Sequence, residues 1–288
     1  MSEIKVSGLS HVYSADTPFE KIAIDNVNVE IPHGQLVGLI GHTGSGKSTF
    51  IQHLNGLLVP SSGTVLVDSV NINGDKAAAR DVRFKVGLVF QYPEYQLFEE
   101  TVYADIAFGP KNMKLSESEI DERVREAAAL VGVGEELFER SPLELSGGQK
   151  RRVAIAGVIA MRPGVLILDE PTAGLDPAGC QRILETICDY REKPGSTVVI
   201  VSHSMDDVAR IADRLIVFNH GSIRFDGTPE EVFSNPKELS DIGLSVPAPT
   251  QIASALREQG VEIEGSVYTT EQLLAALLKL KKEVGRNA

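Results

Sequence analysis

The chain has 288 residues, of which 42% are hydrophobic and 24% are charged. This is about twice the usual domain size of ~150 residues, so we expect one large domain or one domain with an appendage. The composition excludes a mostly disordered or collagen-like chain. The chain carries 28 basic and 40 acidic residues, and the net charge of -12 disfavours binding to a nucleic-acid backbone. Nucleic acid is therefore not an expected partner.

The apolar segments predict a chain that does not cross a membrane. The longest run without a charged or strongly polar side chain covers residues 153–161, well short of the ~18–20 residues that a spanning helix needs. The N-terminal sequence MSEIKVSGLS has no apolar core of a secretory signal. We therefore expect a cytoplasmic location.

The predicted elements, in chain order, alternate β-branched strands with helical stretches, which favours a layered α/β fold. Residues 4–90 are strand-rich and include the buried run LVGLI, after which a helix begins at Lys47. Residues 101–162 are helical, with a predicted capping box at Ser116 and Glu119, and we interpret them as an insertion. Strands return at residues 165–168, 197–202, 214–218 and 222–225.

The last part of the chain, residues 236–288, differs in character and is predicted to be a small C-terminal extension of a domain formed by residues 1–235. It contains two short helices, the second of which begins at a Thr269-x-x-Gln272 capping box. A stripe of leucines follows on that helix: Leu273, Leu274, Leu277 and Leu278. We expect this stripe to pack on the main body rather than to form an oligomer contact, although either would bury it.

A phosphate-binding loop is predicted directly after the buried run LVGLI. The segment GHTGSGKS matches G-x-x-x-x-G-K-[ST] and comprises Gly41, His42, Thr43, Gly44, Ser45, Gly46, Lys47 and Ser48. The glycines let backbone N–H groups turn toward phosphates, and the following helix adds the positive end of its dipole. Lys47 would lie between the β- and γ-phosphates, and Ser48 would bind Mg²⁺. A chance match is the alternative, but the flanking strand and helix argue against it.

A second acidic motif ends the apolar run at residues 165–168. Asp169 would bind Mg²⁺, usually through a water molecule. Glu170 would act as the general base for the attacking water or would orient that water. The alternative is a solvated strand end before the turn at Pro171, which becomes a weak explanation beside a phosphate loop.

The segment LSGGQ at residues 145–149, twenty residues before Asp169, completes an order of motifs that resembles the ABC-transporter ATPases. The resemblance covers the chain to about Phe233. It implies a P-loop NTPase fold of the ABC-ATPase type, with a RecA-like core, an antiparallel β subdomain, an inserted α-helical signature subdomain and a small C-terminal helical extension. It also implies ATP and Mg²⁺ as cofactors.

The resemblance implies roles for further residues. Tyr13 would stack on adenine, Thr49 would join the phosphate loop in nucleotide binding, and Gln91 would contact the metal and couple it to a membrane partner. His203 would contact the γ-phosphate and act in catalysis with Glu170 and Gln91. Two ATPase subunits would face head to tail, so that the ATP of one subunit is covered by residues of the other. Those residues are Ser146, Gly147, Gly148, Gln149 and, in the loop AGLD, Asp176.

Within the family, the segments FQYPEYQLFEETV, DIAFGP and SPLELSGGQKRRVAIAGVIAM resemble the energy-coupling factor transporters of vitamins and metal ions. The motifs GHTGSGKST, PEYQLFEETV and AGLDPAG resemble the second of their two ATPases. The resemblance implies a sister ATPase as partner, more readily than a second copy of the same chain. It further implies a transmembrane T component, exchangeable substrate-binding S components and a peripheral position on the cytoplasmic face of the membrane.

Three acidic residues follow Gln91: Glu94, Glu99 and Glu100. We hypothesise that they receive arginines from the T component, since carboxylate and guanidinium form strong charge-assisted pairs. A solvated acidic loop is the alternative.

Three other functions are consistent with parts of the sequence. The first is an ATPase of another ABC importer. The second is a soluble ABC-type ATPase acting in nucleic-acid repair, chromosome structure or translation, and the third is a nucleotide-binding regulator without turnover. The sequence has no heptad run and no cysteine spacing typical of a zinc module, which disfavours the soluble class. Glu170 and His203 together disfavour a regulator that only binds nucleotide.

Overall fold

The computed structural model describes residues 3–73 and 76–284. In chain order its strands are β1 (Ile4–Tyr13), β2 (Lys21–Ile31), β3 (Leu36–Gly41), β4 (Ser62–Val67), β5 (Val70–Asn71), β6 (Val86–Val89), β7 (Val165–Asp169), β8 (Thr197–Val201), β9 (Arg214–Asn219) and β10 (Ser222–Gly227). Its α-helices are α1 (Lys47–Leu54), α2 (Lys76–Lys85), α3 (Val102–Asn112), α4 (Glu117–Leu130), α5 (Gly147–Ile159), α6 (Pro177–Arg191), α7 (Met205–Ile211), α8 (Pro229–Phe233), α9 (Pro236–Asp241), α10 (Ala248–Glu258) and α11 (Thr270–Val284).

A six-stranded sheet of order β10-β9-β3-β8-β7-β6 forms the centre of the molecule. All its neighbouring strands are parallel except the β9–β10 pair. Every residue of β3, β7 and β8 is buried, which explains their continuous apolar sequences. Because parallel strands end at the same edge, the segments after these three strands meet there, where open α/β sheets bind their ligands.

A second, antiparallel sheet of order β2-β1-β4-β5 packs beside the first. Its buried side chains, such as Ile4 and Val65, share one hydrophobic cluster with Phe50 of α1 and Phe218 of β9. This cluster fixes α1, and with it the loop before α1, between the two sheets. The predicted fold, a parallel core with an antiparallel β subdomain, is confirmed.

Helices α3, α4 and α5 form the predicted helical insertion and are joined to the central sheet by a second large hydrophobic cluster. Ser116 caps α4 by accepting a hydrogen bond from the Glu119 backbone. The Glu119 carboxylate is bonded to Arg123 at 2.8 Å instead of closing the capping box. The sequence therefore placed this helix start correctly but only half of its predicted cap forms.

The C-terminal helices α10 and α11 pack through a small hydrophobic cluster that includes Ala253 and Leu273. The capping box at Thr269 and Gln272 is present. The predicted burial of the leucine stripe is wrong for three of its members, since Leu274, Leu277 and Leu278 are 57%, 39% and 50% exposed. The face of α11 that packs is instead formed by Leu273, Ala276 and Leu280, spaced by three and four residues.

Residues 285–288 of the predicted extension lie outside the described part of the chain. None of the described helices combines the length and the apolar character that crossing a bilayer requires.

Candidate functional site

The loop between β3 and α1 is shaped by glycines that no other residue could replace without strain. Gly46 precedes α1 with φ of 110°, and a Cβ there would lie 2.5 Å from the Ala23 carbonyl oxygen. A Cβ at Gly41 would lie 2.4 Å from the Phe218 carbonyl oxygen. The loop can therefore turn its backbone inward only because these positions lack side chains.

The ammonium group of Lys47 is buried inside this loop. Its Nζ donates to the carbonyl oxygens of Gly41 at 2.6 Å and His42 at 3.0 Å. Burial lowers the pKa of Lys47, while the nearby Glu170 and Asp169 act in the opposite direction. Lys47 thus places a cation at the N-terminus of α1. An anion binds an ammonium group more strongly than these neutral carbonyls do, so this arrangement is suited to bind phosphate.

The other loop residues are held by the surrounding chain. His42 Nδ1 lies 2.9 Å from the Thr43 carbonyl oxygen, and the His42 ring lies against that of His220 with centroids 5.0 Å apart. Ser45 is completely buried, and its carbonyl accepts from the Gly221 backbone at 2.9 Å. Contacts from the β9–β10 turn thus fix the outer side of the loop.

Ser48 and Asp169 meet at the carboxyl edge of the sheet although they are 121 residues apart in sequence. The Ser48 hydroxyl donates to Asp169 Oδ2 at 3.2 Å. Burial raises the pKa of Asp169, and the contacts with Ser48 and Lys47 oppose that rise. A hydroxyl and one carboxylate side by side suit Mg²⁺, which prefers oxygen ligands and keeps several of its own waters.

Glu170 is strained and buried beside this pair. Its φ is 51°, and its backbone N–H is held by the Val201 carbonyl at 3.0 Å. Carboxylate Oε2 accepts from the His203 backbone at 3.3 Å, whereas buried Oε1 has no hydrogen-bond partner among the described residues. Burial raises the pKa of Glu170 to about 7. An orphaned carboxylate oxygen at this position is suited to accept a proton from a water molecule.

His203 lies directly beside Glu170. Its Nε2 is 3.2 Å from Glu170 Oε1, but the alignment is not that of a hydrogen bond. Burial, and to a lesser degree the charge of Lys47, lowers the pKa of His203. With a neutral imidazole, the two side chains do not form an ion pair at neutral pH, so both keep polar atoms available for a ligand.

Tyr13 lies at the outer end of the phosphate loop. Its hydroxyl is 3.3 Å from Thr49 Oγ1, and its ring is 39% exposed beside the edge of His11. A small pocket of about 140 Å³ lies between Tyr13 and the loop, with Lys21 and Ala23 of β2 in its wall. No sequence motif pointed to these two β2 residues, because only strand pairing places them there.

Gln91 follows β6, which pairs with β7 so that Val89 is opposite Leu168. This register places Gln91 at the same sheet edge as Glu170. The side chain is exposed and has no hydrogen-bond partner among the described residues. The predicted contact of Gln91 with the metal therefore stays a prediction.

The signature residues lie in a separate cleft between α5 and α6. Ser146 and Gln149 form a capping box at the start of α5, with bonds of 2.9 and 3.3 Å. Asp176 caps α6 by accepting from the Gly179 backbone at 2.6 Å. This cleft of about 490 Å³ shares no lining residue with the Tyr13 pocket, so one chain does not bring the two phosphate-facing segments together.

Two arginines that the sequence did not single out also line this cleft, Arg152 of α5 and Arg182 of α6. Burial and the charge of Arg182 lower the pKa of Arg152. Gly147, which begins α5, adds the helix N-terminus. The cleft is therefore electropositive and suited to an anion.

One of the three proposed coupling glutamates is already paired. The Arg151 guanidinium contacts both oxygens of Glu94, at 3.1 and 3.0 Å, and the pair is largely buried. An arginine from another protein would therefore have to share the Glu94 carboxylate with Arg151, and the coupling role of Glu94 stays a prediction. Glu99 is half-buried, and Glu100 is exposed.

A mostly apolar groove of about 340 Å³ lies between the helical insertion and the sheet, next to the segment that carries these glutamates. Phe98 and Phe108 contribute to its wall with side chains that are 64% and 44% exposed. Across the groove lie Leu57 and Phe84. Sequence reasoning missed the groove because its walls come from distant parts of the chain.

The comparisons with known proteins agree with this site. A family model described as ABC transporter matches residues 24–173, more than half of the chain. The energy-coupling factor transporter ATP-binding protein EcfA2 of Clostridium perfringens is 56% identical over 96% of this chain and 98% of its own length. The protein of the same name from Clostridioides difficile is 55% identical over 98% of this chain and 99% of its own length.

Solved structures show the same fold. CbiO1 of Clostridium perfringens, described as part of the ABC transporter complex cbiONQ, has a TM-score of 0.74 and 39% identity over 87% of this chain and 98% of its own. The ATP-binding cassette MJ0796, solved as a dimer with ADP and phosphate, has a TM-score of 0.71 and 29% identity over 78% of this chain and 98% of its own.

Proposed function

The chain belongs to the ABC-transporter ATPase family, as an ATP-binding subunit of the energy-coupling factor transporters that couples ATP hydrolysis to transport, and from this premise we propose how its residues act. The observation that carries the proposal is the grouping of Lys47, Ser48, Asp169 and Glu170 at one sheet edge. These side chains supply a cation, two oxygen ligands and a base within one buried site.

Each residue of the chain has a distinct part in the reaction. The ammonium of Lys47 exchanges its loop carbonyls for the β- and γ-phosphates of ATP. Ser48 and Asp169 would hold Mg²⁺, which would neutralise charge on the phosphate oxygens. Glu170 Oε1 accepts the proton of the attacking water, and His203 Nε2 contacts the γ-phosphate. Tyr13 stacks on the adenine, and the Tyr13 hydroxyl lies beside that of Thr49.

A second ATPase subunit would complete the site. The signature cleft presents the Ser146 hydroxyl, the backbone amides of α5 and two arginines, but the chain has no phosphate loop facing it. A sister subunit would place its nucleotide there, and this cleft would in turn cover the nucleotide of the sister. The dimeric state of the related cassette MJ0796 supports such an arrangement. We favour a sister ATPase over a second copy, because the relatives are named as the second ATPase of their transporters.

A transmembrane T component would occupy the groove beside Phe98. Apolar walls would receive a helix of the T component, and Glu99 and Glu100 would attract its arginines. Exchangeable S components would then choose the substrate, a vitamin or a metal ion, so that no residue of this chain contacts it. The chain would lie peripherally on the cytoplasmic face of the membrane.

Charge reversal tests this assembly. The variant Glu99→Lys/Glu100→Lys should lower recovery of the T component from detergent-solubilised membranes at least ~10-fold, since each lost charge pair contributes on the order of 1 kcal/mol. ATP binding by the purified chain should stay unchanged.

The matched control is Glu136→Lys/Glu139→Lys, which makes the same change in net charge on exposed residues of the helical insertion outside the groove. Equal recovery of the T component with both double variants would contradict the docking role. Recovery of no membrane protein with the unmodified chain would favour a soluble ABC-type ATPase.

A further inference from the structure

Arg151 connects three functional parts of the molecule through one buried guanidinium group. It lies on α5, five residues after Ser146, and its side chain is only 4% exposed. Nε and Nη2 donate to the two carboxylate oxygens of Glu94. Nη1 donates to the backbone carbonyls of Pro171 at 3.2 Å and Ala173 at 2.5 Å. Four hydrogen bonds thus use all three nitrogens of the guanidinium.

The Glu94 side of this contact belongs to the groove. Glu94 lies in the short 3₁₀ turn Pro93–Gln96, and Gln96 and Phe98 line the groove that we assign to the membrane partner. Any displacement of this turn by a bound helix changes the position of the Glu94 carboxylate. Two hydrogen bonds join the Glu94 carboxylate to the planar guanidinium of Arg151. A rotation or shift of the carboxylate therefore moves the guanidinium with it.

The opposite side of the contact belongs to the reaction centre. Pro171 and Ala173 are the first and third residues after Glu170. The Ala173 backbone N–H donates back to the Glu170 carbonyl at 3.2 Å. The same loop leads to Asp176, which caps α6 in the signature cleft. The two carbonyls bonded by Arg151 therefore fix the turn that sets the orientation of the Glu170 side chain.

Backbone strain shows that both ends need such support. Tyr92, at the start of the Glu94 turn, has φ of 56°, and Glu170 has φ of 51°. Residues other than glycine keep such conformations only when tertiary contacts hold them. Arg151 contacts the segment that follows each of the two strained residues.

We propose that Arg151 is a positioning residue, which holds the loop after Glu170 in its hydrolytic conformation and transmits to it the displacement of the Glu94 turn. The proposal rests on the proposed roles of Glu170 and of the groove. It predicts that loss of Arg151 lowers kcat, while ATP affinity, which depends on the phosphate loop, stays the same.

The test compares variants of the full-length chain, measured for kcat, KM and ATP dissociation constant together with its partner subunits. Arg151→Gln should lower kcat about 10-fold or more, and ATP affinity should change by less than about 2-fold. Glu94→Gln should lower kcat in the same way, and the double variant should be no worse than the more severe single variant. Arg151→Lys, which keeps the charge but not the paired bonds, should recover only part of kcat.

Arg123 provides the matched control. It is also a largely buried arginine of the helical insertion, bonded to one carboxylate, Glu119, and one carbonyl, that of Met161. Arg123→Gln should leave kcat near that of the unmodified chain. An equal loss of kcat in both arginine variants, or additive effects of Arg151→Gln and Glu94→Gln, would overturn the proposal.

A direct measurement covers the case in which Arg151→Gln does not fold. In Glu94→Gln, the backbone amides of Ala173 and Leu175 should exchange with solvent faster than in the unmodified chain, while those of α1 should not. Unchanged exchange at both amides would overturn the proposal. Glu170→Gln, measured in parallel, separates the two hypotheses, because full activity of that variant would contradict the proposed base itself.

Discussion

The phosphate loop and the signature cleft are two glycine-containing helix starts that face anions in different ways. The phosphate loop supplies its own cation, Lys47, and its carbonyls satisfy that cation when no phosphate is bound. The signature cleft is lined by Arg152, Arg182 and the exposed Asp176, and no buried carboxylate is among its described lining residues. The first site therefore holds its own cation and metal ligands, whereas we propose that the second acts on the nucleotide of another chain.

The largest effect should come from Glu170, which belongs to the phosphate-loop site. Glu170→Gln should lower kcat by about 10²–10⁴-fold, because the amide cannot accept the proton of the attacking water. ATP binding should persist, because the Glu170 carboxylate is hydrogen-bonded to the His203 backbone and not to the phosphate loop, and loss of its negative charge near Lys47 does not oppose phosphate binding. Steady-state kinetics measures the loss of turnover. Size-exclusion chromatography with ATP measures the retained ATP binding, because the variant should accumulate as a dimer that holds ATP. Undiminished turnover would remove Glu170 from the reaction.

A change in the open cleft should separate binding from turnover. Gly148→Asp places a carboxylate where the partner's phosphate would lie, and a Cβ at this position meets only Arg152 at 3.9 Å, so the fold should be kept. Turnover should fall about 100-fold through like-charge repulsion, on the order of 3 kcal/mol. ATP binding to the single chain, measured by fluorescence, should not change. Gly148→Ala, which adds only a methyl group, should have a much smaller effect, and weakened ATP binding in the single chain would contradict the division into two sites.

The burial of a histidine in α1, the helix that follows the phosphate loop, predicts a specific pH dependence of stability. His53 of α1 is fully buried, and burial together with His11 lowers its pKa to about 4. The unfolded chain binds a proton on this histidine near pH 6.5, whereas the folded chain does not, so the His53 contribution to stability is lost as the pH falls from 6.5 toward 4.

The expected size of this loss is about 2 kcal/mol between pH 7 and pH 5. His53→Asn, which keeps a donor for the Leu58 carbonyl, should remove it. Urea unfolding at both pH values gives the free energy of unfolding of the variant and of the unmodified chain. Glu170 is present in both proteins, so its opposite contribution cancels in the difference between them. A difference that does not depend on pH would contradict this assignment.

The smallest effect should be at the rim of the phosphate-loop site. Tyr13→Ala should weaken ATP binding about 10-fold, since stacking of a base on an aromatic ring contributes roughly 1–3 kcal/mol. Tyr13→Phe should change the affinity less than 2-fold, since its hydroxyl makes one exposed bond with Thr49. Titration with ATP and with a triphosphate that lacks a purine ring tests whether the lost affinity is that of the base.

The parts of the molecule differ in how far the sequence could predict them. The phosphate loop was predictable because glycines, a lysine and a serine at fixed spacing leave the backbone only one suitable conformation. The cap of α5 by Ser146 and Gln149 is similarly local. The packing face of α11 was misplaced by one position, since a helix rich in leucine offers two overlapping stripes. The pairing of Glu94 with Arg151 was not predictable, because the two residues are 57 positions apart.

By itself, the sequence determined the local chemistry: which loop turns around phosphate, which strand ends in carboxylates and which helix begins with a serine cap. These features depend on residues within a few positions of each other, whose geometry the covalent chain constrains. Only the tertiary structure decided which distant groups meet. It joined Ser48 to Asp169, left one oxygen of Glu170 without a hydrogen-bond partner among the described residues, and bonded Arg151 to Glu94 and to the loop after Glu170. Those contacts depend on how the sheet and the helical insertion pack, and packing is decided by the whole hydrophobic core at once.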